Sequence, residues 1–295
     1  MATSFSDNLK RQLTTADTLQ RLLIVNVVLF IVIRLVNSLT QLYNTPLLDF
    51  EFVSKWLAVP AAPLVLLTKP WTLITYMFYH WDFMHLLFNM LWLFWMGRIF
   101  QEYLGSKKLL NTYILGGISG GIMYILAYNV FPLFANSVGA AYALGASASV
   151  LAITVATATL LPDYAISLLF FGPVKLKWIA LVTIVLDLIN VSGSNAGGHI
   201  AHLGGALFGF VYIRQLQKGT DISAWLTKFI DIFARSKKSK MKVSHSRKRS
   251  DEDFAATKRG RQERLDLILD KISKSGYGSL SSEERDFLFN ASKDK

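Results

Sequence analysis

Ser147 lies in the run Gly145-Ala146-Ser147-Ala148-Ser149, and His202 in Gly198-His199-Ile200-Ala201-His202. A serine hydroxyl is a weak nucleophile until a base takes its proton as it attacks, and histidine is the usual base for that task. Acyl transfer by such a pair also needs hydrogen-bond donors for the oxyanion that forms. His85 and Asn89 are four residues apart, hence on one face of a helix, and supply two. His80 precedes His85 by five residues, about 140° around a helix, and is expected to point elsewhere. Ser147 as nucleophile, His202 as general base, and His85 with Asn89 as oxyanion donors make a hydrolytic set. A serine in an apolar helix commonly bonds back to a carbonyl one turn earlier. That is the expectation for Ser149; Ser147 is singled out by its company.

The segments that must position these side chains are apolar. Of 295 residues, 52% are hydrophobic and 17% charged, with a mean hydropathy of +0.37; soluble domains carry about a quarter charged residues. From Asn111 to Ile213 the only formal charges are Asp163, Lys175, Lys177 and Asp187, too few for a soluble surface. Six stretches are predicted to cross a bilayer core of about 30 Å: about 21–39, 72–97, 108–130, 138–161, 177–193 and 199–217. The first contains Arg34 and has no small-residue cleavage site behind it, so it reads as a span and not as a cleavable signal. Gly205 and Gly209 on the sixth span, and Ala141, Gly145 and Ala148 on the fourth, are small-residue faces that let helices approach closely. The third repeats the device at Gly116, Gly117, Gly120 and Gly121. Contact of the fourth and sixth spans is expected to bring Ser147 within hydrogen-bond reach of His202.

An even number of spans puts both termini on one side, and positive charge selects the cytoplasmic one. Lys10, Arg11, Arg21, Arg98, Lys107, Lys108, Lys175, Lys177 and the basic run Arg235 to Arg249 fall on that side; the opposite loops hold only Lys55 and Lys69. Net charge is +11, with 12 Lys/Arg against 8 Asp/Glu in residues 1–217 and 19 against 12 in 218–295. The apolar loop 40–71, broken by Pro60 and Pro63, is read either as lying in the outer interface with Trp56 and Trp71 at headgroup level or as a seventh buried helix piece. The expected organisation is a cytosolic segment 1–20, a membrane domain 21–217, a basic linker 218–260 and a small helical module 261–295. In that module Leu265, Ile268, Leu269 and Ile272 follow helical spacing, Gly276 and Gly278 end the helix, and Ser281 with Glu284 forms a capping-box signature. Alone it is too small to be stable without a partner. The basic run serves either as a topology anchor or as a contact for anionic lipid headgroups.

The segments HWDFMHLLFNMLWLFWMGRIFQEYLGS, LGASASV and GHIAHLGGALFG resemble the rhomboid intramembrane serine proteases, over roughly residues 20–217. The resemblance implies an all-α integral membrane protein, a six-transmembrane-helix bundle with a small helical cytosolic tail, and the simple six-span layout suggests a prokaryotic cell membrane. It implies an endopeptidase with Ser147 and His202 as a dyad, and His85, Asn89 and the Ser147 N–H as the oxyanion hole. It also aligns Arg98, Glu102 and Gly105 with the family's cytosolic turn after the second span. Two positions depart from the family pattern. Ala148 stands where a glycine commonly follows the nucleophile, and Leu151 where many members carry an aromatic. The rival reading is an inactive rhomboid-like scaffold that holds transmembrane clients.

Other chemistries find less support. With no cysteine, a disulfide framework, Cys-ligated zinc, an iron–sulfur cluster and a cysteine nucleophile are all excluded. His80, His85, His199 and His202 do not make the HExxH helix of a metalloprotease. No metal or cofactor is expected, no nucleic-acid partner is indicated, and transmembrane proteins are the expected substrates. For Asp187 and Arg34 three roles stay open: a mutual pair, a cavity cap or an interfacial position.

Overall fold

The computed structural model describes residues 16–45, 47–168, 172–234 and 251–293. Asp17 accepts the Gln20 N–H at 2.9 Å while the Gln20 side chain accepts the Asp17 N–H at 3.0 Å, and this reciprocal cap opens α1, Thr18–Gln41. Asp49 caps α2, Phe50–Leu57, and Pro63 opens the short α3, Pro63–Thr68. The brief α4, Thr72–Thr75, runs into a 3-10 turn, Tyr76–Phe78. Asp82 then accepts the His85 N–H at 2.8 Å and starts α5, Phe83–Leu104. Gly105, at φ +84°, reverses the chain into α6, Ser106–Val130. There follow α7 (Ser147–Leu160), α8 (Leu176–Ile189), α9 (Ala196–Gln217) and α10 (Ala224–Ala234).

Two small antiparallel pairs depart from the all-α expectation. β1 (Val59–Pro60) pairs with β2 (Tyr142–Ala143), and β3 (Ala165–Leu168) pairs with β4 (Gly172–Lys175). The first pair ties the loop that follows α2 to the segment that precedes α7. The 40–71 region is therefore neither a span nor one buried helix piece but two short helices joined by a strand. Within it, Trp56 and Trp71 stack at 6.3 Å, and the Trp71 indole donates to the Trp56 carbonyl at 3.0 Å.

The predicted span boundaries need correction. Among the described residues, α1, α5, α6 and α9 are long and apolar enough to cross a membrane. α7 and α8 have 14 residues each, about 21 Å, so the full-length fourth and fifth spans are not observed. The expected second span, 72–97, is displaced to α5, because the Asp82 cap imposes a start inside a mostly apolar run. The expected fourth, 138–161, begins only at Ser147, so Ala141 and Gly145 lie in the preceding loop and not on a helix face.

α9 packs most extensively against α7 and α6. A Cβ on Gly205 would collide with the carbonyl oxygen of Ala148, and one on Gly209 with that of Ala152. The two helices thus meet backbone to backbone. Gly120 of α6 faces the same seam, where a Cβ would stand 2.6 Å from the Ala148 methyl and 2.7 Å from the Ala201 carbonyl oxygen. Buried Tyr113 and Tyr76 lock α6 to the 3-10 turn by donating to the carbonyls of Met77 (2.7 Å) and Gly117 (2.5 Å). Near the start of α6, Asn111 donates to Thr227 of α10 at 2.7 Å, and Lys107 pairs with Asp231 at 2.8 Å.

The chain divides into two compact units, Met1–Ser236 and Lys237–Lys295. In the second, α11 (Asp251–Ser275) is followed by a turn at Gly276 and by α12 (Ser282–Lys293). The Ser281–Glu284 capping box is formed, at 2.8 and 3.2 Å, and Lys271 pairs with Glu284 at 2.9 Å. The Lys271 ammonium beside it holds the Glu284 carboxyl below the usual range. The expected linker 218–260 is interrupted by α10, and α11 starts about ten residues before 261. α10 is an apolar helix, and α11 carries Leu265, Ile268, Leu269 and Ile272 at the expected helical spacing. Most of the basic run, 235–250, lies outside the described residues, as do residues 1–15.

The α7–α9 seam leads to a first prediction. Gly205→Ala is expected to cost roughly 1–3 kcal/mol or more by overpacking, seen as a lowered thermal unfolding midpoint in detergent. Gly139→Ala, where a Cβ meets open space, should leave the midpoint unchanged. Equal midpoints for the two variants would mean that the seam tolerates separation.

Candidate active site

The chain before Ser147 is held from below. The Gly145 N–H donates to the Tyr76 carbonyl at 2.9 Å, and the Ala61 N–H to the Ala141 carbonyl at 3.0 Å. The Ala146 N–H donates to Nε2 of buried His80 at 3.2 Å. Gly145 has φ +115°, and a Cβ there would stand 2.5 Å from Cε1 of His85. Only glycine meets both demands, conformation and contact. Ser147 follows as the first residue of α7, with Ala148 against Gly120 of α6. Gly120 is ten residues before Val130, about 15 Å below that end of a helix about 37 Å long. Ser147 therefore sits deep in the helical bundle.

Its hydroxyl lies 2.6 Å from Nε2 of His202 on α9. Nδ1 of His202 is 2.9 Å from Oδ1 of Asp187 on α8, and Nδ1 of His199 is 2.7 Å from the same oxygen. Asp187 is buried, while both imidazoles are partly open. An ionised carboxylate only accepts, so it selects the tautomer with the proton on Nδ1. Nε2 of neutral His202 then meets the serine hydroxyl as an acceptor. Ser147 Oγ also stands at a helix N-terminus, where the macrodipole favours developing negative charge.

His85 and Asn89 line the same cavity as Ser147, Asp187 and His202; its volume is about 710 Å³, and Phe88, Trp92, Thr183 and Leu186 form its flank between α5 and α8. Asn89 Nδ2 donates one hydrogen to the His85 carbonyl at 2.8 Å and keeps a second. All four residues singled out from the sequence are thus brought to one cavity. Ser149 does not bond back to a carbonyl; its hydroxyl meets the Met77 sulfur at 3.7 Å.

Asp187 is the residue whose role the sequence left open among a pair with Arg34, a cavity cap and an interfacial position; it lines the cavity. It does not pair with Arg34, whose guanidinium lies 4.5 Å from the Trp81 ring centroid. The available signal was its isolation: a carboxylate in an apolar segment demands a partner, and two histidines lie 12 and 15 residues on. The reading of His80 is also corrected. It precedes α5 instead of lying on it, so helical angles do not apply, and its ring packs edge-on to His85 at 5.2 Å.

A polytopic helical protein with a serine–histidine pair inside its bundle is the class that this geometry defines. The rhomboid domain model matches residues 67–218, just over half of the chain, and the chain belongs to the rhomboid family. It is an integral membrane protein. It is 30% identical over 158 residues to RHOMBOID-like protein 12, mitochondrial, of Arabidopsis thaliana, covering 50% of this chain and 47% of that protein. It is 35% identical over 98 residues to rhomboid protease GlpG of Salmonella newport, covering 33% and 34%. The chain thus spans about half the length of the plant relative and a third of the bacterial one. A second model, DUF6576, a family of unknown function, matches residues 249–294.

The shared carboxylate makes a prediction about tautomers. With histidine labelled in ¹⁵N, neutral His202 is expected to carry its proton on Nδ1 in solid-state NMR spectra. Asp187→Leu should shift that population toward Nε2–H. An unchanged spectrum would remove Asp187 as the group that selects the tautomer.

Proposed function

We propose that this protein is a serine endopeptidase that cuts transmembrane segments of other membrane proteins. The observation that carries the reading is the 2.6 Å contact between Ser147 Oγ and His202 Nε2. Ser147 attacks the scissile carbonyl as its proton passes to His202 Nε2, and Asp187 steadies the imidazolium that forms. His85, the free Asn89 hydrogen and the Ser147 N–H are the donors for the oxyanion. His202 returns the proton to the leaving amine, then activates a water that releases the acyl group from Ser147. Ala148 and Leu151 leave every reacting group in place. Asp187 serves as a positioning residue, which makes this site a triad where the family resemblance implied a dyad.

A helical substrate keeps its carbonyls paired, so the segment cut must unwind locally, and Gly, Pro or polar residues within it favour cleavage. We further read the chain as six membrane passes, with α7 and α8 as short ones, both termini cytoplasmic and the cavity open to the opposite face. A prokaryotic cell membrane is the proposed location. The segment that follows α9 and the α11–α12 pair are assigned to the cytosol, where the basic run serves as a topology anchor or as a contact for anionic lipid.

The test uses a fluorophosphonate, which reports an activated serine without a known substrate. Labelling in membranes is expected for the wild type and for Ser149→Ala, and is expected to vanish for Ser147→Ala and His202→Ala. Labelling that persists in Ser147→Ala would reject the assignment. Once a transmembrane substrate is in hand, His85→Ala and Asn89→Ala should each lower its cleavage by about 10²–10³-fold, the usual loss for one oxyanion donor. Wild-type rates in both variants would place the oxyanion elsewhere.

A further inference from the structure

His199 has no part in the hydrolytic steps, yet its Nδ1 approaches the same carboxylate oxygen as His202. Asp187, His199 and His202 each offer a ligand atom, and the three atoms lie within 4.8 Å of one another. Two of the ligands come from one face of α9, three residues apart, and the third from α8. Two imidazoles and one carboxylate form a zinc-type donor set, one that also suits copper and nickel but not calcium or magnesium, which prefer all-oxygen shells. Metal bonds of about 2.0–2.2 Å in a tetrahedron need ligand atoms roughly 3.4 Å apart. The carboxylate oxygen would have to withdraw by about half to three-quarters of an ångström from its present 2.7 and 2.9 Å, and the two imidazoles would have to turn to bring their nitrogens to the same spacing. The cavity that Asp187 and His202 line is open to water for the fourth position. With no cysteine in the chain, no thiolate competes for such an ion.

We propose that Asp187, His199 and His202 form an inhibitory site for a divalent transition metal of the zinc type. The site acts through the tautomer of His202. In the metal-free state the proton is on Nδ1 and Nε2 can accept from Ser147. A metal bonded to Nδ1 replaces that N–H bond, and the displaced proton reappears on Nε2, so the neutral ring keeps one proton throughout. His199 makes the same exchange. Nε2–H of His202 then donates to the Ser147 oxygen and can no longer take its proton. The ion is therefore an off-switch on the far side of the base and not a cofactor; the inhibition rests on the hydrolytic reading, the binding does not.

The test uses full-length protein in detergent, purified without a histidine tag. Ser147→Ala is titrated with Co²⁺, whose visible bands report tetrahedral nitrogen and oxygen ligation. Bands are expected, and should be lost when His199→Gln is added. Equal spectra with and without His199 would overturn the site. In parallel, fluorophosphonate labelling of the wild type and of His199→Gln is measured against Zn²⁺, each relative to its own rate in EDTA. Zinc should suppress wild-type labelling reversibly, and the midpoint should rise at least about tenfold in His199→Gln. Suppression at equal zinc in both proteins, or none in either, would overturn the switch. Failure of the hydrolytic reading looks different: His199-dependent cobalt bands persist while the wild type never labels, even in EDTA.

Discussion

Two glycines facing two carbonyls hold the site together. Within a bilayer, lipid tails are as apolar as leucine, so helices gain little by hiding apolar side chains from them, and close packing must supply the association. Gly205 and Gly209 of α9 remove the side chains that would strike the Ala148 and Ala152 carbonyls of α7. Because Ser147 immediately precedes Ala148, and His202 lies three residues before Gly205, the seam that joins the backbones also sets the distance between hydroxyl and imidazole. Any side chain large enough to part the helices lengthens that hydrogen bond as well. Helix packing and the serine–histidine distance are therefore coupled through one contact.

The same coupling explains what could be read from the sequence. That Ser147, His202, His85 and Asn89 meet at one cavity was legible because glycine spacing and polar isolation in apolar segments are local patterns, and each has few physical explanations. The helix starts were less legible. The stretch 72–97 is mostly apolar, and Asp82, the residue that caps α5, is the one formal charge within it. Gly145 similarly stands before α7 because of a backbone conformation and a contact with His85, neither of which leaves a periodic trace. The consequence was largest for His80, whose place beneath Ala146 depends on its being off the helix. Asp187 was visible as a lone charge, but its partners come from the next helix, and only the α8–α9 packing says which histidine it meets.

A carboxylate inside a membrane domain is costly unless its charge is matched or well hydrogen-bonded. Oδ1 of Asp187 lies within hydrogen-bond distance of Nδ1 of both His199 and His202, and in the tautomers with the proton on Nδ1 the two N–H donors offset that cost. On the proposed reading, when His202 gains a proton during acyl transfer the carboxylate is already beside the new charge, so little reorganisation is required at the moment of reaction. A family pattern that needs only serine and histidine does not forbid such a third group. Here it occupies the position where a base buried among apolar helices gains most from one.

Depth is the remaining constraint. α7 is about 16 Å shorter than α6, the difference between 14 and 25 residues at 1.5 Å each. Much of that difference is at the Ser147 end, since Ala148 packs on Gly120 and not near Val130. The missing turns are replaced by the loop that carries β2 and Gly145, and the space above Ser147 becomes the cavity. A short helix thus does two things at once: it places a helix N-terminus, with its unpaired N–H groups, well below the bundle surface, and it opens a route for water to reach it. On the proposed reading, hydrolysis needs both, because a nucleophile at the surface would miss a membrane-embedded bond and one sealed in a full-length helix would lack water.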